Sequence, residues 1–108
     1  MNNFKIKLCE MFYLILSKNG DLGNIYYDIE TVTVHLKLTI PTVIHGKSKS
    51  KAKQIFEQEL KKYNLDEYFG VFYKETEYGI YFTIGPKHKL TNEELKKIEI
   101  VFELKGYI

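Results

Sequence analysis

Hydrophobic positions along the 108-residue chain change their spacing several times, and each change predicts a different element. Phe4, Leu8, Met11, Phe12 and Ile15 recur at helical intervals, which predicts a first helix. Asn3 suits its N-cap, and Lys18-Asn19-Gly20 suits its stop, with Gly20 able to take left-handed dihedrals. Ile6, Cys9, Tyr13, Leu14 and Leu16 make the remaining faces of this segment apolar, so it has to be buried on more than one side. Phe4, Ile6 and Leu8 also alternate as an opening strand would; the longer stripe favours the helix.

The spacing then shortens to two. Ile25–Ile29 predicts one strand and Thr31–Ile40 a second. In the second, Val32, Val34, Leu36, Leu38 and Ile40 lie on one face, and Thr33, His35, Lys37 and Thr39 on the more polar one. Pro41 ends that run, because it cannot donate to a ladder. Helical spacing returns over Ser50–Tyr63 through Ala52, Ile55, Phe56, Leu60 and Tyr63, with Glu57 and Lys61 as an i,i+4 pair and Asn64 as the cap. A hairpin follows, Phe69–Lys74 and Tyr78–Ile84 around Glu75-Thr76-Glu77. Phe72, Lys74, Tyr81 and Thr83 share the face opposite Val71, Tyr73, Ile80 and Phe82.

The last helix has the clearest start. Thr91 and Glu94 form a capping box, and Leu90 and Leu95 a hydrophobic staple. Leu95, Ile98, Val101 and Phe102 face inward, and Gly106 ends the helix. The predicted order is α-β-β-α-β-β-α over a single domain, residues 1–108. The fold class is α+β: a two-layer sandwich of about four mostly antiparallel strands with helices on one face.

Composition narrows the function more than it defines it. Sixteen basic and fourteen acidic residues leave +2, too little for a generic polyanion binder. All sixteen are lysine, and lysine lacks the bidentate fork with which arginine reads guanine edges, so sequence-specific DNA recognition is not expected. Richness in Lys, Ile, Asn and Tyr fits an AT-rich source genome. No apolar run approaches bilayer length, and the single cysteine, Cys9, leaves no internal disulfide. A cytoplasmic protein is expected.

Candidate chemistry is sparse. Cys9, His35, His45 and His88 show no metal-ligand spacing, and no cofactor or metal site is expected. Cys9 sits in an apolar helical segment and reads as a buried structural thiol rather than a nucleophile. The carboxylate pairs Glu75/Glu77, Glu93/Glu94 and Asp66/Glu67 each have a local explanation, in a turn or a first helical turn. No Walker, GxGxxG, HExxH or GxSxG pattern occurs, and an enzyme is not expected.

Two basic loops precede helices. His45–Lys53 carries Lys47, Lys49, Lys51 and Lys53 with no acid, and Gly85-Pro86-Lys87-His88-Lys89 leads into the last helix; a helix N-terminus favours phosphate. The winding puts the two loops at opposite ends of the sheet. Charge also divides, with ten lysines against six acids in residues 1–64 and six against eight in residues 65–108. Helix–strand–strand–helix order over residues 1–63, together with Gly46-Lys47-Ser48-Lys49-Ser50-Lys51-Ala52-Lys53, faintly resembles the double-stranded-RNA-binding domain. In that family such lysines hold phosphates across a groove. A third strand would have to be Thr42-Val43-Ile44, and Asp28-Ile29-Glu30-Thr31 lacks the family's Gly-Pro-x-His type of loop.

Nine tyrosines and seven phenylalanines are more aromatics than one small core consumes. The hairpin face with Phe72, Lys74 and Tyr81 is therefore the expected partner-binding surface, since tyrosine-rich faces supply contact area at low entropy cost. The function expected is a small non-enzymatic interaction protein that binds and regulates or inhibits a protein partner. By analogy of size and composition, a phage or mobile-element inhibitor of a nucleic-acid-handling host defence system, of the anti-CRISPR kind, fits. The alternative is a sequence-nonspecific RNA- or DNA-binding module using Lys47, Lys49, Lys51 and Lys53. The apolar perimeter of Phe4–Leu16 further leads to the expectation of a homodimer sealed by that segment, unless two layers bury it.

Overall fold

The computed structural model describes residues 3–19, 24–38, 49–76 and 79–108. Their order is α1 (Asn3–Asn19), β1 (Asn24–Asp28), β2 (Thr33–Leu38), α2 (Lys49–Lys62), β3 (Phe69–Thr76), β4 (Gly79–Pro86) and α3 (Asn92–Leu104), the α-β-β-α-β-β-α sequence expected of this α+β chain. The four strands form one antiparallel sheet in the order β1-β2-β4-β3, so the second hairpin lies beside the first through β4.

One face of the sheet and all three helices share a single core. Val34 and Leu36 of β2, Val71 of β3 and Ile80, Phe82 and Ile84 of β4 are buried against Leu8, Phe12 and Leu16 of α1 and Ala52, Phe56 and Leu60 of α2. Aromatic edges lock the layers together, Phe12 on Phe69 at 4.9 Å and Phe56 on Phe82 at 5.4 Å. Phe102 of α3 meets Phe4 of α1 at 5.5 Å. The crowded apolar perimeter of α1 is thus consumed within the chain: Phe4, Leu8, Cys9, Phe12, Ile15 and Leu16 are all buried. Ile6, Tyr13 and Leu14 remain outside.

Both later helices end the same way. At α2 the Asn64 N–H bonds the Lys61 carbonyl and the Leu65 N–H the Leu60 carbonyl, with Asn64 at φ 60. At α3 the Gly106 N–H bonds Glu103 and the Tyr107 N–H bonds Phe102, with Gly106 at φ 74. These are Schellman motifs, and each carries its apolar contact: two buried leucines in the first, the Phe102–Tyr107 ring pair at 5.2 Å in the second. Asn64 serves because its short polar side chain tolerates the left-handed region.

The α3 start is the capping box expected. Thr91 Oγ1 accepts from the Glu94 N–H at 3.1 Å, and Glu94 Oε1 accepts from the Thr91 N–H at 3.0 Å. The Thr91 amide, and then His88 at 2.9 Å, hold the Glu94 carboxyl below its ordinary range. That contribution is present above the ordinary carboxylate pKa and fades as pH falls through the lowered value. Thr91→Ala is expected to cost about 1 kcal/mol, read as a lower urea midpoint with unchanged slope.

Three details depart from the sequence reading. The second strand begins at Thr33 rather than Thr31, because Thr31 and Val32 complete a turn in which the Val32 N–H bonds the Ile29 carbonyl at 3.2 Å. Val32 sits at φ 54, a costly place for a β-branched residue, and its side chain is buried in the core. β3 runs through Glu75 and Thr76, which pair with Ile80 and Gly79. Val101 of α3 is exposed; Ile98 and Phe102 alone of that helix are buried. Gly20, His45, Lys47 and residues 39–44 lie outside the described residues, as do the strand end at Ile40 and Pro41.

Candidate functional site

Alternation along the strands sends every second side chain to the face that no described helix covers. Register aligns these side chains in rows across the sheet. Tyr26 stands opposite His35, His35 opposite Thr83, and Thr83 opposite Phe72, so one row crosses all four strands. In the next row Lys37 stands opposite Tyr81, and Tyr81 opposite Lys74. Beyond the long row, Asp28 stands opposite Thr33 and Gly85 opposite Gly70, with the Thr33 side chain packed against Gly85.

The expected partner-binding residues Phe72, Lys74 and Tyr81 therefore come together. Lys74 is the direct cross-strand neighbour of Tyr81, and Phe72 lies on the diagonal. The structure adds Tyr26, His35 and Lys37, which sequence reasoning does not assign to this site. The polar side of β2 is visible as alternation, but nothing local says that β2 lies beside β4, which is what brings Lys37 to Tyr81.

Local contacts shape the surface. Lys37 Nζ lies 5.7 Å from the Tyr81 ring centroid, a cation over an aromatic face. His35 Nδ1 and Thr83 Oγ1 are 2.8 Å apart, which anchors the centre of the long row. Phe72 folds back along β3: a Cβ added at Gly70 would meet its Cζ at 3.2 Å and Lys87 Cγ at 3.4 Å. Gly85 likewise makes room for Thr33, whose Oγ1 and Cγ2 would lie 3.1 Å from an added Cβ. Tyr26 and Phe72 are each about half exposed, at 50% and 49%, so the two ends of the row stand open. Asp28 contributes the acid, and its Oδ1 accepts from the Thr31 N–H at 3.3 Å.

The lysines of the basic loop are not gathered here. Lys47 is outside the described residues, and Lys49 begins α2. Lys51 is exposed on α2, whereas Lys53 pairs with Glu57 at 3.8 Å, one turn earlier than the Glu57–Lys61 pair expected. The far end of α2 shares a shallow cleft with Phe69, Gly70 and Lys87, so Lys87 lies at the end of α2 opposite Lys49.

Among the described residues no three His, Cys, Asp or Glu side chains come together. Cys9 is buried, and burial, with the Asp28 charge second, pushes its thiol up to about 11, so it stays protonated at neutral pH. No described helix is long and apolar enough to cross a membrane. No family model matches the chain, and no curated protein and no solved structure matches it. What the open face offers chemically is contact: three aromatic rings, two lysines, a histidine and two threonines on a rigid sheet.

Proposed function

We propose that this protein is a small non-enzymatic regulator or inhibitor that docks a protein partner on the open face of its sheet. The observation that carries this reading is the placement of Tyr26, Phe72 and Tyr81 on a four-stranded face left uncovered by every described helix. Aromatic rings set among small hydrogen-bonding residues are the composition of interface cores, where a few rings carry most of the energy. Strand backbones hold them, so little order has to be gained on binding. The size and lysine-rich composition keep an inhibitor of a nucleic-acid-handling system, phage- or mobile-element-encoded, as the setting this role fits.

A second reading has its own observation, the Lys37–Tyr81–Lys74 row. Bases stack on such rings and phosphates meet such lysines in single-strand binders. Magnitude decides between the two. Two lysines in the row and Lys87 at the margin neutralise about three phosphates, and about three contacts give a weak grip with a salt slope near −2 on single strands.

Affinity capture from a host lysate, with and without nuclease, tests the assignment. The expected result is a protein retained after nuclease treatment. Recovery of nucleic acid with loss of all protein after nuclease would overturn the protein reading in favour of the second.

A further inference from the structure

We infer that the outer edge of β3 pairs with the same edge of a second copy of this chain, antiparallel about a two-fold axis at Tyr73. β3 is an edge strand of eight residues, and all eight pair with β4 in unbroken register, so no bulge turns the edge away. No proline interrupts it. Edges with these properties invite another strand unless they are short, bulged, covered or charged. The charges on β3 are Lys74 and Glu75, and an axis at Tyr73 sets Lys74 against a ring instead of a second cation. β1, at the other edge, has five residues.

The direction of the free backbone groups follows from three observations. The Lys87 N–H donates to the Tyr68 carbonyl at 2.8 Å, which points that carbonyl at β4. The Phe69 N–H instead bonds the Leu65 carbonyl at 2.9 Å. Pro86, with no N–H, stands opposite Phe69, as it can only at a position not hydrogen-bonded across the pair. Alternation then turns the N–H and C=O of Gly70, Phe72 and Lys74 toward β4, and those of Val71 and Tyr73 outward.

An axis at Tyr73 uses these groups. The two Tyr73 residues exchange both of their outward hydrogen bonds. On the open face each Phe72 comes opposite the Lys74 of the second copy, placing a cation beside a half-exposed ring twice over. On the helix side the two Tyr73 rings meet; each is 41% exposed in the single chain and rests on Phe82 at 5.7 Å. An axis at Phe72 would instead set Lys74 against Gly70 and leave Tyr73 facing buried Val71. The dimer would carry a continuous sheet of eight strands with its open faces on one side. It differs from a dimer sealed by α1, whose buried residues already serve the core of the single chain.

Light scattering and sedimentation across a micromolar concentration series test this. The expected mass is twice the 12.8 kDa of the chain at the upper end. Tyr73→Lys, which sets two ammonium groups against each other at the axis, is expected to give the single-chain mass with an unchanged circular-dichroism spectrum. Tyr73→Cys places two thiols on residues with Cα atoms about 5.5 Å apart, within disulfide reach, while Cys9 stays buried. Oxidation should then give a covalent dimer, and Leu14→Cys on α1 should not. A single-chain mass at every concentration overturns the inference. So does a Tyr73→Lys variant that dimerises as the original chain does, while Leu14→Cys alone cross-links.

Discussion

Phe82→Ala is expected to cost about 3–5 kcal/mol, the range for truncating a fully buried aromatic ring. Phe82 lies at the centre of β4, between β2 and β3, with its side chain fully buried. Its ring meets the edge of Phe56 from α2 and carries Tyr73 from β3, so truncation opens a cavity shared by both layers. Neighbours anchored on three elements cannot all collapse into that space, which puts the cost above the transfer term alone. A domain of this size has roughly 5–15 kcal/mol in total, so the variant loses a large part of it. Thermal melting should fall by about 15 °C or more, at roughly 4–8 °C per kcal/mol. A fall of only a few degrees would mean that Phe82 is not the keystone of the core described above.

The same residue shows how much of the fold is legible in the amino-acid sequence. Phe82 alternates with Tyr81 and Thr83, and period-two spacing in a hairpin already separates the buried side from the open one. Likewise Thr91–Glu94 and Asn64 declare helix ends through chemistry that acts within a few residues. Local rules of this kind account for the element order and for the shared face of Phe72, Lys74 and Tyr81. Pairings between distant segments leave no such mark. That β2 borders β4 depends on how the two hairpins pack on the helices, and so the contribution of Lys37 and Tyr26 to the open face is not visible in the sequence. Val32 illustrates another limit: alternation assigns it to a strand, but burial of its side chain in the core is compatible with a left-handed turn that propensity alone would reject. Val101 shows the converse, a helix position of the right type at the right spacing that lines a surface cleft with Tyr63 and Tyr68 and stays exposed.

Tyr81→Ser should separate binding from folding. Tyr81 neighbours Phe82 in the chain but points to the opposite side of the sheet, between Lys37 and Lys74. Its loss removes the cross-strand packing of the ring between Lys37 and Lys74 and the cation over it, worth about 1 kcal/mol of stability, well below the cost at Phe82. If the open face docks the partner, a central ring of this kind acts as an anchor, and truncating it weakens binding by about 2 kcal/mol, roughly thirty-fold in Kd. Phe72→Ser, at the end of the long row, should weaken binding as well. Because Tyr81 is on β4, away from the β3 edge, loss of a second copy cannot explain its effect, whereas Phe72 touches both surfaces. Titration of the captured partner by calorimetry, beside urea denaturation of each variant, supplies the two readouts. Unchanged affinity with Tyr81→Ser would remove the open face as the docking surface. A stability loss for Tyr81→Ser as large as that for Phe82→Ala would instead mean that this face is covered.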